Sequence, residues 1–127
     1  AMAKSKLIWK KKPEAQDYEG AINYLSLLCP TSKAEKLVRA MRKSATVERA
    51  AKDLLRASHL PLLPRDEPHV SDDLDKVHKG KPLAPILLVG GDFANDIPLT
   101  IADGYHRICA MYYYDSKLLI PCRIVRI

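Results

Sequence analysis

Cysteine is scarce in this sequence: Cys29, Cys109 and Cys122 are the only three among 127 residues. Their odd number, the lack of a Cys-x-x-Cys spacing and the lack of a paired His-x-x-x-His argue against both a disulfide framework and a structural zinc motif. A reducing cytosol is the expected compartment. Long apolar runs are missing too. None approaches the roughly 18 residues of a membrane span, so no membrane partner is expected. The start, Ala1-Met2-Ala3-Lys4, lacks the apolar stretch of a secretory signal. No internal repeat or low-complexity tract is present.

What is there fits one globular domain, with 47% hydrophobic residues. A chain of this length buries about two-thirds of the surface that it exposes when unfolded, so it needs no crosslink to hold a core. The net charge is +6 and unevenly spread, because Lys4, Lys6, Lys10, Lys11 and Lys12 crowd the first 12 residues. Residues 1–14 therefore read as a basic, mobile tail that aids solubility, or as a contact for nucleic acid, with Trp9 the one ring there to stack on a base.

Residues 15–58 read as a helical segment. Tyr18, Ala21, Ile22, Leu25 and Leu28 recur at helical spacing up to Pro30. Ser32 and Glu35 have the spacing of a capping box ahead of Leu37, Val38 and Met41. A third helix is expected from about Thr46, with Val47, Ala50, Ala51, Leu54 and Leu55 on one face. The pattern changes at residue 59. Leu60–Pro64 is too interrupted by proline for a helix interior and reads as an edge strand or extended segment. A short helix is expected from Ser71 or Asp72 to His78 or Lys79, ended by Gly80. Strands follow at Pro85–Val89 and Leu99–Ala102, then a helix from Asp103-Gly104 with Ile108, Cys109, Met111 and Tyr112 facing inward, and a last strand over Ile120–Val125.

Asp103-Gly104-Tyr105-His106-Arg107 is the segment richest in chemistry, since a strand runs into it and a helix runs out. The first turn of a helix presents free N–H groups and a partial positive charge, which suits an anion. Gly104 lets a ligand approach the backbone, and His106 and Arg107 add donors suited to phosphate oxygens. A purely architectural reading is also open, with Asp103 a helix N-cap, Gly104 a turn residue and Arg107 a surface cation. Asp103 could otherwise act as a general base or as a ligand for Mg²⁺.

The stretch Ile101–Ala110, followed by Ile120-Pro121-Cys122-Arg123-Ile124-Val125, resembles the signature of the ParB/sulfiredoxin-like superfamily. Leu83–Val89 lies where that family has its proline-isoleucine strand, and Asp66-Glu67-Pro68-His69-Val70 is similar to a sulfiredoxin segment with His69 in place of a lysine. The likeness covers roughly Leu60 to Ile127. It implies a small α/β (α+β) core over residues 59–127 with a mixed sheet. It also implies a nucleotide, ATP or a relative with or without Mg²⁺, whose phosphates would be held by Gly104, Tyr105, His106, Arg107 and His69. Family activities include phosphotransfer, nucleotide hydrolysis, sulfinic-acid reduction, DNA partition and nuclease action, so the fold by itself selects none.

Two departures narrow this range. Tyr105 stands where sulfiredoxins carry their nucleophilic cysteine, and Cys109 lies a helical turn further on as a small core residue, so reductase activity is not expected. Partition proteins continue into a second phosphate motif and a helix-turn-helix, and this chain ends at Ile127, so partition by it alone is not expected. The histidines His59, His69, His78 and His106 show no i, i+4 pair, and no metal cluster is expected from spacing. Asp66, Glu67, Asp72, Asp73 and Asp75 read as a solvated face with helix-terminal charge, or as carboxylates for Mg²⁺ beside a nucleotide. Tyr112-Tyr113-Tyr114 should place at least one ring outward. Two functions stay open: a nucleotide-binding enzyme that transfers or hydrolyses phosphate with Asp103 as catalytic residue, and a nucleic-acid-binding or weakly nucleolytic module, without nucleotide turnover, that holds DNA through the basic tail and helices. The sequence assigns no oligomeric state.

Overall fold

The computed structural model describes residues 7–127. Lys4 and Lys6 of the basic tail lie outside the described residues. The elements are α1 (Ala15–Leu25), α2 (Thr31–Lys43), β1 (Val47–Ala50), α3 (Ala51–Ser58), α4 (Pro68–His78), β2 (Ile86–Val89), a 3₁₀ turn (Phe93–Asn95), β3 (Thr100–Asp103), α5 (Tyr105–Tyr114) and β4 (Leu119–Val125). The strands form one mixed sheet in the order β1-β4-β2-β3, with only β2 and β4 parallel. This is an α+β fold with a small mixed sheet.

Both faces of the sheet are covered. Successive strand residues point to opposite sides, so Ile86 and Leu88 of β2 pack with Leu54, Val70, Leu74, Ile108 and Met111 of α3, α4 and α5. Leu87 and Val89 pack on the other side with Tyr18, Ala21, Leu37 and Met41 of α1 and α2. The unbroken apolar run of β2 is buried throughout, as a strand covered on two faces requires. In β4, Ile120 and Cys122 join the first cluster and Val125 the second. Arg123 points to the α2 side, where its Nη1 donates to the carbonyls of Arg42 at 2.8 Å and Met41 at 3.3 Å. It thereby supplies a charge-assisted partner to the last carbonyls of α2.

Several local expectations are corrected. Residues 47–50 are strand, not helix, because they pair antiparallel with β4, Val47 opposite Cys122 and Ala50 opposite Leu119. The segment read as wholly helical therefore contributes a strand to the sheet, and only from Ala51 does the helical spacing hold. Ser32 and Glu35 form no capping box: α2 begins at Thr31 with Pro30 at its N-cap and no side-chain cap. Helix α1 stops at Leu25, leaving Leu28 60% exposed. Helix α4 starts at Pro68, earlier than expected, since proline is suited to a first helical position and Glu67 caps the turn through the Val70 N–H. Its end behaves as read, with Gly80 at φ +70°.

Leu60–Pro64 forms no strand. It is an extended connection held by α5, whose Tyr105 and Tyr113 hydroxyls donate to the carbonyls of Pro61 and Leu63. All three tyrosines of Tyr112-Tyr113-Tyr114 are half-buried. The second half of the expected mobile tail is docked: Trp9 bridges Leu83 in parallel and packs against the core, and the Lys10 N–H donates to the Leu83 carbonyl at 2.8 Å. Trp9 is thus occupied as a packing residue.

Candidate functional site

Strand β3 delivers the chain to Asp103, and Gly104 reverses it into α5 at φ +107°. A Cβ at Gly104 would lie 2.6 Å from Ile86 Cδ1 and 2.9 Å from Arg107 Nη2. Glycine is therefore required here both by backbone conformation and by packing against β2. Gly104 itself is the N-cap of α5, without a side-chain cap. This corrects the reading of Asp103 as a cap. Its carboxylate turns instead toward Arg107.

Arg107 Nη2 is 2.9 Å from Asp103 Oδ2 and 3.3 Å from the Pro85 carbonyl, and Nη1 is 3.4 Å from Asp17 Oδ1. Asp17 is buried, and its other oxygen accepts the Glu14 N–H at 2.8 Å. Two carboxylates from α1 and β3 thus share one guanidinium. Burial pushes Asp103 up to about 6, outweighing the pull of Arg107, and the neighbouring Asp17 adds to the rise. Arg107 is a half-buried clasp between α1 and the start of α5, not the exposed surface cation of the architectural reading.

The other side of the same turn faces α4. His106 and His69, one in the first turn of each helix, have ring centroids 4.7 Å apart. Glu67 lies between them, with Oε1 3.1 Å from His69 Nδ1 and Oε2 3.9 Å from His106 Nε2. Desolvation raises the Glu67 carboxyl, but the Val70 N–H, the His69 ring and backbone, and the charge of His106 outweigh it and hold the group below its ordinary value. Asp73 on α4 is buried, and burial raises its carboxyl against the opposing charges of Lys76, Arg107 and His106. It is not part of a solvated face, whereas Asp66, Asp72 and Asp75 are exposed.

The residues singled out in sequence fall into two groups around one helical turn. Asp103 and Arg107 join Asp17 on the α1 side; His106 and His69 join Glu67 on the α4 side. Tyr105 has its hydroxyl committed to Pro61. Cys109 is fully buried and its thiol is pushed up, mainly by burial. His59 and His78 are exposed and stand outside both groups. The N–H groups of Tyr105, His106 and Arg107 have no acceptor among the described residues, as the opening turn of a helix leaves them. Sequence reasoning missed Asp17 as a site residue and Glu67 as the link between the histidines. A buried-face position for Asp17 and the helix-capping position of Glu67 before Pro68 were the available signals. Among the described residues, no helix is long and apolar enough to cross a membrane. No known protein family, curated protein or solved structure matches this chain.

Proposed function

We propose that the opening turn of α5 binds a phosphate group, most simply that of a nucleotide such as ATP, between the free N–H groups of Tyr105 to Arg107 and the imidazoles of His106 and His69. The observation that carries this reading is the meeting of those two rings, 4.7 Å apart, at a helix start whose amides lack acceptors. Amides and partial helix charge suit an anion, and two imidazoles, His106 from α5 itself and His69 from α4, add direction. Gly104 lets the turn pack against Ile86 of β2, and Arg107 serves the site by fixing the turn to Asp103 and Asp17. Asp103, raised to about 6 and paired with Arg107 on the α1 side of the turn, is the candidate general base for phosphotransfer or hydrolysis, a role that requires it to exchange its contact with Arg107 for the substrate.

Calorimetric titration of the full chain with ATP and CTP, with and without Mg²⁺, tests this. Saturable binding should weaken about tenfold in His106→Ala and in His69→Ala, the loss of roughly one charge-assisted contact. Wild-type affinity in both variants, or no nucleotide binding by the wild type, overturns it.

A second reading, an interface for nucleic acid, rests on α2, where Lys33, Lys36, Arg39 and Lys43 are all exposed. Duplex DNA bound by this face would lose affinity steeply with salt, and replacing the four cations with glutamine should flatten the slope of log K against log salt. An unchanged slope removes α2 from such a role.

A further inference from the structure

The geometry points to a binding site for a divalent transition-metal ion of the Zn²⁺ class formed by Glu67, His69 and His106, a site independent of whether a nucleotide binds. One carboxylate oxygen and one nitrogen from each ring lie within 4.8 Å of one another. Tetrahedral zinc, with metal–ligand bonds of about 2.0–2.1 Å, sets its ligand atoms about 3.3 Å apart. The Glu67 carboxylate spans the two rings, its Oε1 3.1 Å from His69 Nδ1 and its Oε2 3.9 Å from His106 Nε2, so the three ligand atoms must draw together somewhat to reach that spacing. The His69 and His106 side chains, 71% and 43% exposed, have room to turn toward a common ion.

The backbone that carries these groups is well held. Glu67 is fixed as the cap of α4 by the Val70 N–H at 2.9 Å. His69 and His106 sit in the first turns of α4 and α5, which pack together through Val70, Leu74 and Ile108 in the core. Two imidazoles and one carboxylate suit zinc, nickel, copper or iron(II), whereas Mg²⁺ and Ca²⁺ prefer all-oxygen sets. Three protein ligands leave a further position for water or for an oxygen of a bound anion. The positive ends of two helices favour a negatively charged group there. The ion would also neutralise Glu67, the one carboxylate placed directly against the proposed phosphate position.

The test uses metal alone. Co²⁺ titrated into the full chain should give the visible absorption of a low-symmetry, four- or five-coordinate site at one ion per chain, displaced by Zn²⁺ and not by Mg²⁺. His69→Ala and His106→Ala should each weaken Zn²⁺ binding by at least about tenfold, since even outer-shell partners of a metal cost 10–100-fold when removed. Thermal melts without metal should match the wild type for His69→Ala, because that side chain is exposed. Zn²⁺ affinity unchanged in both histidine variants, or no one-to-one Co²⁺ complex, overturns the site. Glu67→Gln separates this inference from phosphate binding: it should weaken Zn²⁺ and, in the presence of a chelator, should not weaken ATP. Undiminished Zn²⁺ affinity in Glu67→Gln refutes the three-residue site even if ATP binds.

Discussion

Arg107 lies 2.9 Å from Asp103, four residues before it, and reaches Asp17 at 3.4 Å across the packing of α1 on β3. A single cation therefore serves two carboxylates, and Asp17 is close enough to oppose the ionisation of Asp103. This arrangement makes the start of α5 sensitive to pH in a way that can be measured without knowing a ligand.

Asp103 has a folded value of about 6 against an ordinary 3.8. The folded state thus holds this proton more tightly than the unfolded chain, so the contribution of Asp103 to stability is fully present below about pH 4 and is lost as pH rises through about 6. Replacing Asp103 with Asn removes this contribution. The stability difference between Asp103→Asn and the wild type should shift in favour of the variant by roughly 2 kcal/mol between pH 4 and pH 7.5, a figure already reduced for partial solvent screening. Urea unfolding across that range is the measurement; a pH-independent difference would count against the raised value.

Arg107→Ala leaves Asp17 and Asp103 without their shared cation. Removing one partner from a largely desolvated ionic group is expensive, and we expect a loss of about 2–3 kcal/mol at pH 7.5. The loss should shrink in acid, where Asp103 carries its proton. Chemical denaturation at the two pH values checks both parts, and equal losses would show that the clasp acts by packing and not by charge.

Gly104→Ala meets Ile86 Cδ1 at 2.6 Å and a backbone at φ +107°. We expect destabilisation of about 2–3 kcal/mol, strain and overpacking together. Gly80→Ala, at φ +70° with nothing within 4 Å of its new Cβ, should cost only about 1 kcal/mol. Similar thermal shifts for the two variants would mean that contact with β2 is not what demands glycine at 104.

Patterns that depend on neighbours along the chain were legible. The continuous apolar run at 86–89 could only be a strand covered on both faces, and the alternation over 120–125 separated Ile120 and Cys122 from Arg123 and Val125 because strand side chains point to opposite sides. The turn at Gly104 and the helix after it were likewise visible, since strand, glycine and helix follow one another directly.

What the sequence could not determine came from contacts between distant segments. Val47–Ala50 sits within a helix-like spacing, yet pairing with β4 makes it a strand, because tertiary hydrogen bonding outweighs weak local propensity. Asp103 was a plausible cap until Asp17, carried by α1, and Arg107 drew its carboxylate into a shared ion pair. His106 was singled out by its place in the turn after Gly104 and His69 by the resemblance of its segment to a sulfiredoxin one. Only the packing of α4 on α5 brings their rings together around Glu67, since side-chain proximity across two helices depends on how those helices are oriented and not on the number of residues between them.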